Sequence, residues 1–147
     1  MREILFKGKR EDNGEWVEGS LSIQNGETLN DGTRTFEYRI MGMRGELDYV
    51  DPETVCQYTG LKGKNGKKIF EGDIVRAKVI ERGLSEVKKY TSVYEVAYHP
   101  KYCYFYLKKE RNNLLFDGNW SYGVFIEDVI GNIFDNPELL EVAERKF

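Results

Sequence analysis

The sequence predicts a mainly β protein, built as a sandwich or barrel of short strands. Three observations carry this. Aromatic residues make up 14% of the 147 residues, with 10 Tyr and 8 Phe, and flat rings pack well on a pleated, half-buried surface. Turn pairs recur along the chain, at Asn13-Gly14, Asn25-Gly26, Asp31-Gly32, Asn65-Gly66 and Asp117-Gly118, with short apolar runs between them. No segment before residue 136 sustains an i, i+3, i+4 apolar stripe, so no long helix is expected.

Each run can be assigned in order. "ILFKGK", "WVEGSLSI" and "FEYRIM" read as strands of an N-terminal β subdomain over residues 1–55. Pro52, within "DPETVCQYTG", breaks the preceding run, and a second β module occupies residues 56–147. "LKGK" and "KKIF" are the arms of a hairpin around Asn65-Gly66, a pair suited to a type I′ turn with positive φ at both residues. Glu71-Gly72-Asp73 makes a second tight turn, with Gly72 at positive φ and Asp73 bonding nearby backbone N–H groups. "DIVRAKVI" then alternates, placing Val75, Ala77 and Val79 on one face. "VYEVAYH", "YCYFYLKK" and "YGVFIEDVIGNIF" complete the strands. The chain closes on "DNPELLEVAERKF", the single helix signal. Asn136 is placed for the N-cap, Pro137 for the first helical position, and Leu139, Leu140 and Val142 for a narrow apolar face. Arg145 and Lys146 fall at the pole that favours cations.

Composition limits the function classes. The net charge is −3, with 32% charged residues, ordinary for a soluble globular protein. No apolar run approaches the ~20 residues of a membrane-spanning helix, and "MREILFKGKREDNGEW" has no signal-peptide core. A cytoplasmic location without membrane association is the expectation. Cys56 and Cys103 lack C-x-x-C spacing and read as small core residues. Charge is unevenly divided: residues 1–55 carry a net −5, residues 56–112 a net +7, and residues 113–147 a net −5.

Catalytic constellations are weak. Gly60 and Gly66 are separated by five residues instead of four, Lys68 stands where a P-loop hydroxyl belongs, and a strand follows instead of a helix, so the phosphate-loop reading fails. Glu127 and Asp128 are strand neighbours expected on opposite faces. A Cys–His pair would need the sole histidine, His99, which precedes Pro100 and reads as a solvated turn residue. One histidine and two distant cysteines form no metal-ligand set. No enzyme activity, metal or cofactor is expected.

One binding surface stands out. In "KYCYFYLKK", Tyr102, Tyr104 and Tyr106 fall on one strand face, and Cys103, Phe105 and Leu107 on the other. Lys101, Lys108, Lys109 and Arg111 bracket the tyrosines. Lys62, Lys64, Lys67 and Lys68 of the hairpin belong to the same module. Such a surface suits packing against a neighbouring subdomain, a second copy or another protein. The alternative is single-stranded nucleic acid, held by stacking on bases and neutralising phosphates.

Finally, "QYTGLKGKNGKKIFEGDIV" followed by "VIGNIFDNPELLE", with "REILFKGKREDNGEWVEGSL" at the start, resembles the YopX family of phage and prophage proteins. The resemblance covers nearly the whole chain. It implies an SH3-like small barrel over residues 56–147, with "EGDIV" leading into an early strand, and an origin in a phage or integrated prophage within a bacterial host. It implies no established activity and no catalytic residues.

Overall fold

The computed structural model describes residues 1–109, 113–115, 122–141 and 145–146. The protein is mainly β, with antiparallel pairing throughout the described ladders and two short 3-10 helices. It divides into two compact units, Met1–Tyr58 and Thr59–Phe147; the sequence places the division after residue 55.

The first unit holds β1 (Phe6–Lys9), β2 (Trp16–Thr28), β3 (Arg34–Met41), β4 (Leu47–Tyr49) and the start of β5 (Cys56–Lys62). Their order is β4-β3-β2-β1-β5. Gly8, Ile40, Val50, Cys56 and Tyr58 are buried. A Cβ on Gly8 would lie 3.2 Å from Val50 Cβ, so the small residue lets β1 sit close over Val50. Asn25-Gly26 is not a turn. It lies inside β2, at a register break between Asn25 and Thr28, and the reversal comes at Leu29–Thr33, where Gly32 N donates to Leu29 O. Pro52 opens the 3-10 helix Pro52–Thr54, with the Asp51 carboxylate accepting from Glu53 N. The Thr54 hydroxyl accepts from Lys9 N at 2.9 Å, which ties this corner to β1.

Past Tyr58, β5 continues into the second unit and pairs there with β6 (Lys68–Phe70). The remaining strands are β7 (Asp73–Arg82), β8 (Val87–His99), β9 (Tyr104–Lys108), β10 (Leu114–Leu115), β11 (Tyr122–Asn132) and β12 (Arg145–Lys146). They form a sheet in the order β10-β9-β8-β7-β11, with β12 on β8. This path is open: among the described residues, ladder pairing does not close the sheet into a barrel. Val75, Ala77 and Val79 are fully buried on the face their alternation predicts. They join Ile69, Tyr90, Tyr94, Val96, Leu107 and Leu114 in one core cluster.

Two local expectations change. In the Asn65-Gly66 hairpin only Gly66 has positive φ, at 81°. Gly66 N donates to Gly63 O and Gly63 N to Lys67 O, so the loop is a type I turn followed by a left-handed glycine instead of type I′. Asparagine keeps an ordinary conformation there because its carbonyl oxygen accepts from Lys67 N. The terminal helix is a 3-10 helix, Pro137–Glu141, carrying Leu139 and Leu140; Arg145 and Lys146, expected at its far pole, are strand β12. Pairing with Thr91 and Tyr90 of β8 gives that segment's backbone the hydrogen bonds a longer helix would have supplied. Val142 and the Asp117-Gly118 pair lie outside the described residues.

Candidate functional site

The aromatic surface forms where β8 ends and β9 begins. His99 sits opposite Tyr104 and Ala97 opposite Tyr106, so His99, Tyr104 and Tyr106 share one face. Tyr102 lies in the connecting turn and not in the strand. The turn is tight: Cys103 N donates to His99 O at 2.8 Å, and Cys103 takes a left-handed φ of 55°. The Tyr102 ring nonetheless stacks on Tyr104, with centroids 6.1 Å apart and planes 6° from parallel. Tyr104 meets Tyr106 edge-on at 6.2 Å.

His99 stands at the centre. Its ring lies 4.8 Å from Tyr102, 5.4 Å from Tyr104 and 5.9 Å from Tyr106. Its Nδ1 is buried and has no hydrogen-bond partner among the described residues. Aromatic neighbours surround the ring, and a general base normally needs a partner to fix its orientation. Sequence reasoning placed His99 in a solvated turn because Pro100 follows it. The signal that could have found it is spacing: strand alternation projected from Tyr104 and Tyr106 across a tight reversal lands on His99.

Cys103 is exposed, in contrast to the core role expected of it, because the turn rotates it out of the strand register; Cys56 is buried. On the far face, Leu107 is fully buried and Phe105 is half-buried, with its ring 5.2 Å from that of Tyr98.

The cations separate into two places. Lys101 Nζ lies 5.2 Å from the Tyr102 ring centroid, within cation–π range. Lys108 faces Glu95 at 3.7 Å. Lys109 reaches inward to the buried Ser92 hydroxyl. Arg111 lies outside the described residues. Lys62, Lys64 and Lys67 are exposed on the hairpin, with Lys68 half-buried. That hairpin is anchored by Lys64 N donating to Glu127 O of β11 at 3.1 Å. In the strand order β11 and β9 are separated by β8 and β7. The hairpin lysines and the tyrosines therefore attach to different strands on either side of the β7–β8 pair.

The carboxylates found near one another are tied to cations. A bulge between Ile126 and Asp128 interrupts the β7–β11 ladder. Glu127 reaches Lys78 at 3.0 Å and Asp128 reaches Arg76 at 3.1 Å. Lys78 and Arg76 share one face of β7, so the bulge brings both acids to that face, where regular alternation would have split them. Asp73 is buried, and its carboxylate accepts from Phe70 N at 2.8 Å. Among the described residues, no group of three His, Cys, Asp or Glu side chains is placed to hold a metal ion. No helix of the described residues is long and apolar enough to cross a membrane.

The blocks "EGDIV" and "GNIFDNP" meet in space. Asp73 pairs with Asn132 and Ile74 with Gly131, while Ile133 N donates to Gly72 O. No curated protein matches the chain. Among solved structures, it is similar to that titled protein EF1440 from Enterococcus faecalis, at 26% identity and a TM-score of 0.46, over 95% of this chain and 99% of that one. The family described as YopX protein matches residues 5–141, and the chain belongs to the YopX family.

Proposed function

We propose that this protein is a non-enzymatic binding and assembly module, acting in the cytoplasm of a bacterium that carries it on a phage or prophage. The observation that carries this reading is the aromatic cluster around His99, with Tyr102 59% exposed and stacked on Tyr104. Stacked, pre-ordered rings lose little conformational freedom on binding, and tyrosine is enriched at protein interfaces. Catalysis has less support, since His99 Nδ1 has no hydrogen-bond partner among the described residues, and Glu127 and Asp128 pair with Lys78 and Arg76. An SH3-like arrangement of the second unit belongs to the same reading. It is supported by Ile69 of the hairpin joining the sheet's core, and by a 3-10 helix leading to a short last strand on β8.

The test is a pull-down from phage-infected host lysate, run with and without nuclease. The bait is the wild type or a Tyr102→Ala/Tyr104→Ala variant. A nuclease-resistant protein partner captured by the wild type and lost by the variant is the expected result. Capture that ignores both substitutions overturns the assignment of the surface.

A second reading is single-stranded nucleic acid, favoured by the near-parallel exposed rings beside Lys101. It predicts affinity for a labelled oligonucleotide that falls steeply with salt. It also predicts at least a tenfold loss in the double variant, since each stacked base is worth about 1–3 kcal/mol. Fluorescence anisotropy at low salt decides it, and absence of binding there ends this reading.

A further inference from the structure

We propose that the β5–β6 hairpin and the adjoining face of β11 form a surface for single-stranded nucleic acid, separate from the tyrosine cluster and not resting on it. Both elements belong to the second unit, where β11 ends the strand path with β7 beside it. The hairpin docks on β11 at the bulge. Lys64 N donates to Glu127 O. Gly63 is buried there, and a Cβ on it would lie 3.3 Å from that same carbonyl oxygen. The glycine lets the hairpin tip approach the bulge closely, and the contact fixes the lysines around it.

Charge at this place stays one-sided after its acids are counted. Lys62, Lys64 and Lys67 are exposed and make no ion pair among the described residues. Arg76 and Lys78 stand on β7, where they hold the two acids of the bulge, Asp128 and Glu127. Five cations against two carboxylates leave three positive charges, all on the hairpin. The remaining acid of the segment, Glu71, lies at the base of the arms near Tyr98, about 16 Å of strand from the tip.

An aromatic ring completes the surface. Phe125 lies on β11 two residues before Glu127, about 7 Å along the strand. It pairs opposite Lys78 and so shares the face that carries Lys78 and Arg76. Its ring rests against Gly123, where a built Cβ would stand 3.2 Å from it, and 59% of the residue stays exposed. The cations select a polyanion, and the ring selects a single strand. Bases in a duplex are already stacked on both sides, whereas an unpaired base can stack on an exposed ring while its phosphates meet the lysines. On the hairpin itself only Leu61 exposes a large apolar side chain, which is far less than the apolar face of a membrane-binding element.

Fluorescence anisotropy with labelled oligothymidylate and the full chain tests this. Binding is expected, with log K falling against log salt at a slope of about −2, since three neutralised phosphates contribute roughly 0.7 each on a single strand. Lys62→Gln/Lys64→Gln/Lys67→Gln is expected to weaken binding at least tenfold and to flatten the slope. Arg82→Gln/Lys88→Gln/Lys89→Gln removes the same charge from the exposed end of the β7–β8 hairpin and is expected to change binding less than twofold. Phe125→Leu keeps an apolar cover over Gly123, loses the ring, and is expected to bind at least fivefold more weakly. Every substituted residue is exposed, so far-UV circular dichroism should stay unchanged in each variant. Absence of binding at low salt overturns the proposal. So do equal losses in the two triple variants, wild-type affinity in Phe125→Leu, or tighter binding to anionic lipid vesicles. Polyglutamate that competes as well as the oligonucleotide at equal charge also overturns it. Binding abolished by Tyr102→Ala/Tyr104→Ala but untouched by the hairpin variants does the same, and moves nucleic acid to the tyrosine face.

Discussion

At the scale of single residues, Gly19 shows how one missing side chain holds a sheet together. A Cβ built there would stand 1.9 Å from the Met41 carbonyl oxygen, a backbone atom that cannot move aside without pulling β3 off β2. Gly19→Ala is therefore expected to cost several kcal/mol, beyond the 0.5–3 kcal/mol, roughly, of an ordinary substitution, and urea denaturation of the first unit measures it. Asp73 makes the opposite case, a buried carboxyl group that belongs where it is. Its carboxylate accepts from the Phe70 N–H, and Asp73→Ala removes that buried hydrogen bond, at a cost of about 1–3 kcal/mol. Tyr90 adds a pH dependence. Burial, reinforced by its 2.7 Å hydrogen bond to Glu81, raises its hydroxyl well above the usual tyrosine range. A group whose folded pKa is raised supports the fold below its unfolded pKa and withdraws that support as pH climbs. The loss begins near pH ~10, where an unfolded tyrosine ionises. Chemical denaturation between neutral and alkaline pH should show stability falling above that point, and Tyr90→Phe should flatten the fall; an unchanged slope in the variant would assign the effect to other tyrosines.

At the scale of elements, the hairpin at 61–70 and the bulge at Glu127 form one device. The bulge leaves the Glu127 carbonyl outside the β7–β11 ladder, and the Lys64 N–H takes it up. Gly66, at φ 81°, makes the tight reversal that presents that N–H. Gly66→Ala is expected to cost about 1–2 kcal/mol from the left-handed conformation alone, read as a shift in urea midpoint. Faster hydrogen exchange at Lys64 should accompany it; an exchange rate that stays put would separate the turn from the docking. The sequence announced the hairpin, the alternation of 73–80 and the β class, because Asn-Gly pairs and period-two apolar runs are local signals. It could not announce the bulge, which depends on what β11 must meet across the sheet. It misplaced Asn25-Gly26 for the same reason, since a turn pair inside a long ribbon can be absorbed as a register break. The tyrosine face was legible as alternation in 102–106. Its organisation around His99 was not, because a left-handed Cys103 and a closed turn at 99–103 decide where the Tyr102 ring falls. Nor could spacing along the chain show that the hairpin lysines attach at β11 and not beside the tyrosines.

At the scale of the whole molecule, the two units are unequally supplied with core. The second has a continuous cluster from Ile69 to Leu114, with Val124, Ile126 and Val129 packed on it. The first buries chiefly Ile40, Val50, Cys56 and Tyr58, and much of its longest ribbon has neighbours on neither outer edge. Local stability follows buried apolar contacts, so the first unit is expected to open at a lower free energy than the second. The two cysteines report on this directly. Cys103 is exposed and should react with a thiol reagent at once in the native protein, whereas Cys56 lies buried on β5 of the first unit and reacts only when that unit opens. Pulsed thiol labelling through a urea series should show Cys56 becoming reactive before the circular dichroism of the β7–β8 sheet is lost. Labelling of Cys56 that coincides with global unfolding would show the two units to be one cooperative structure.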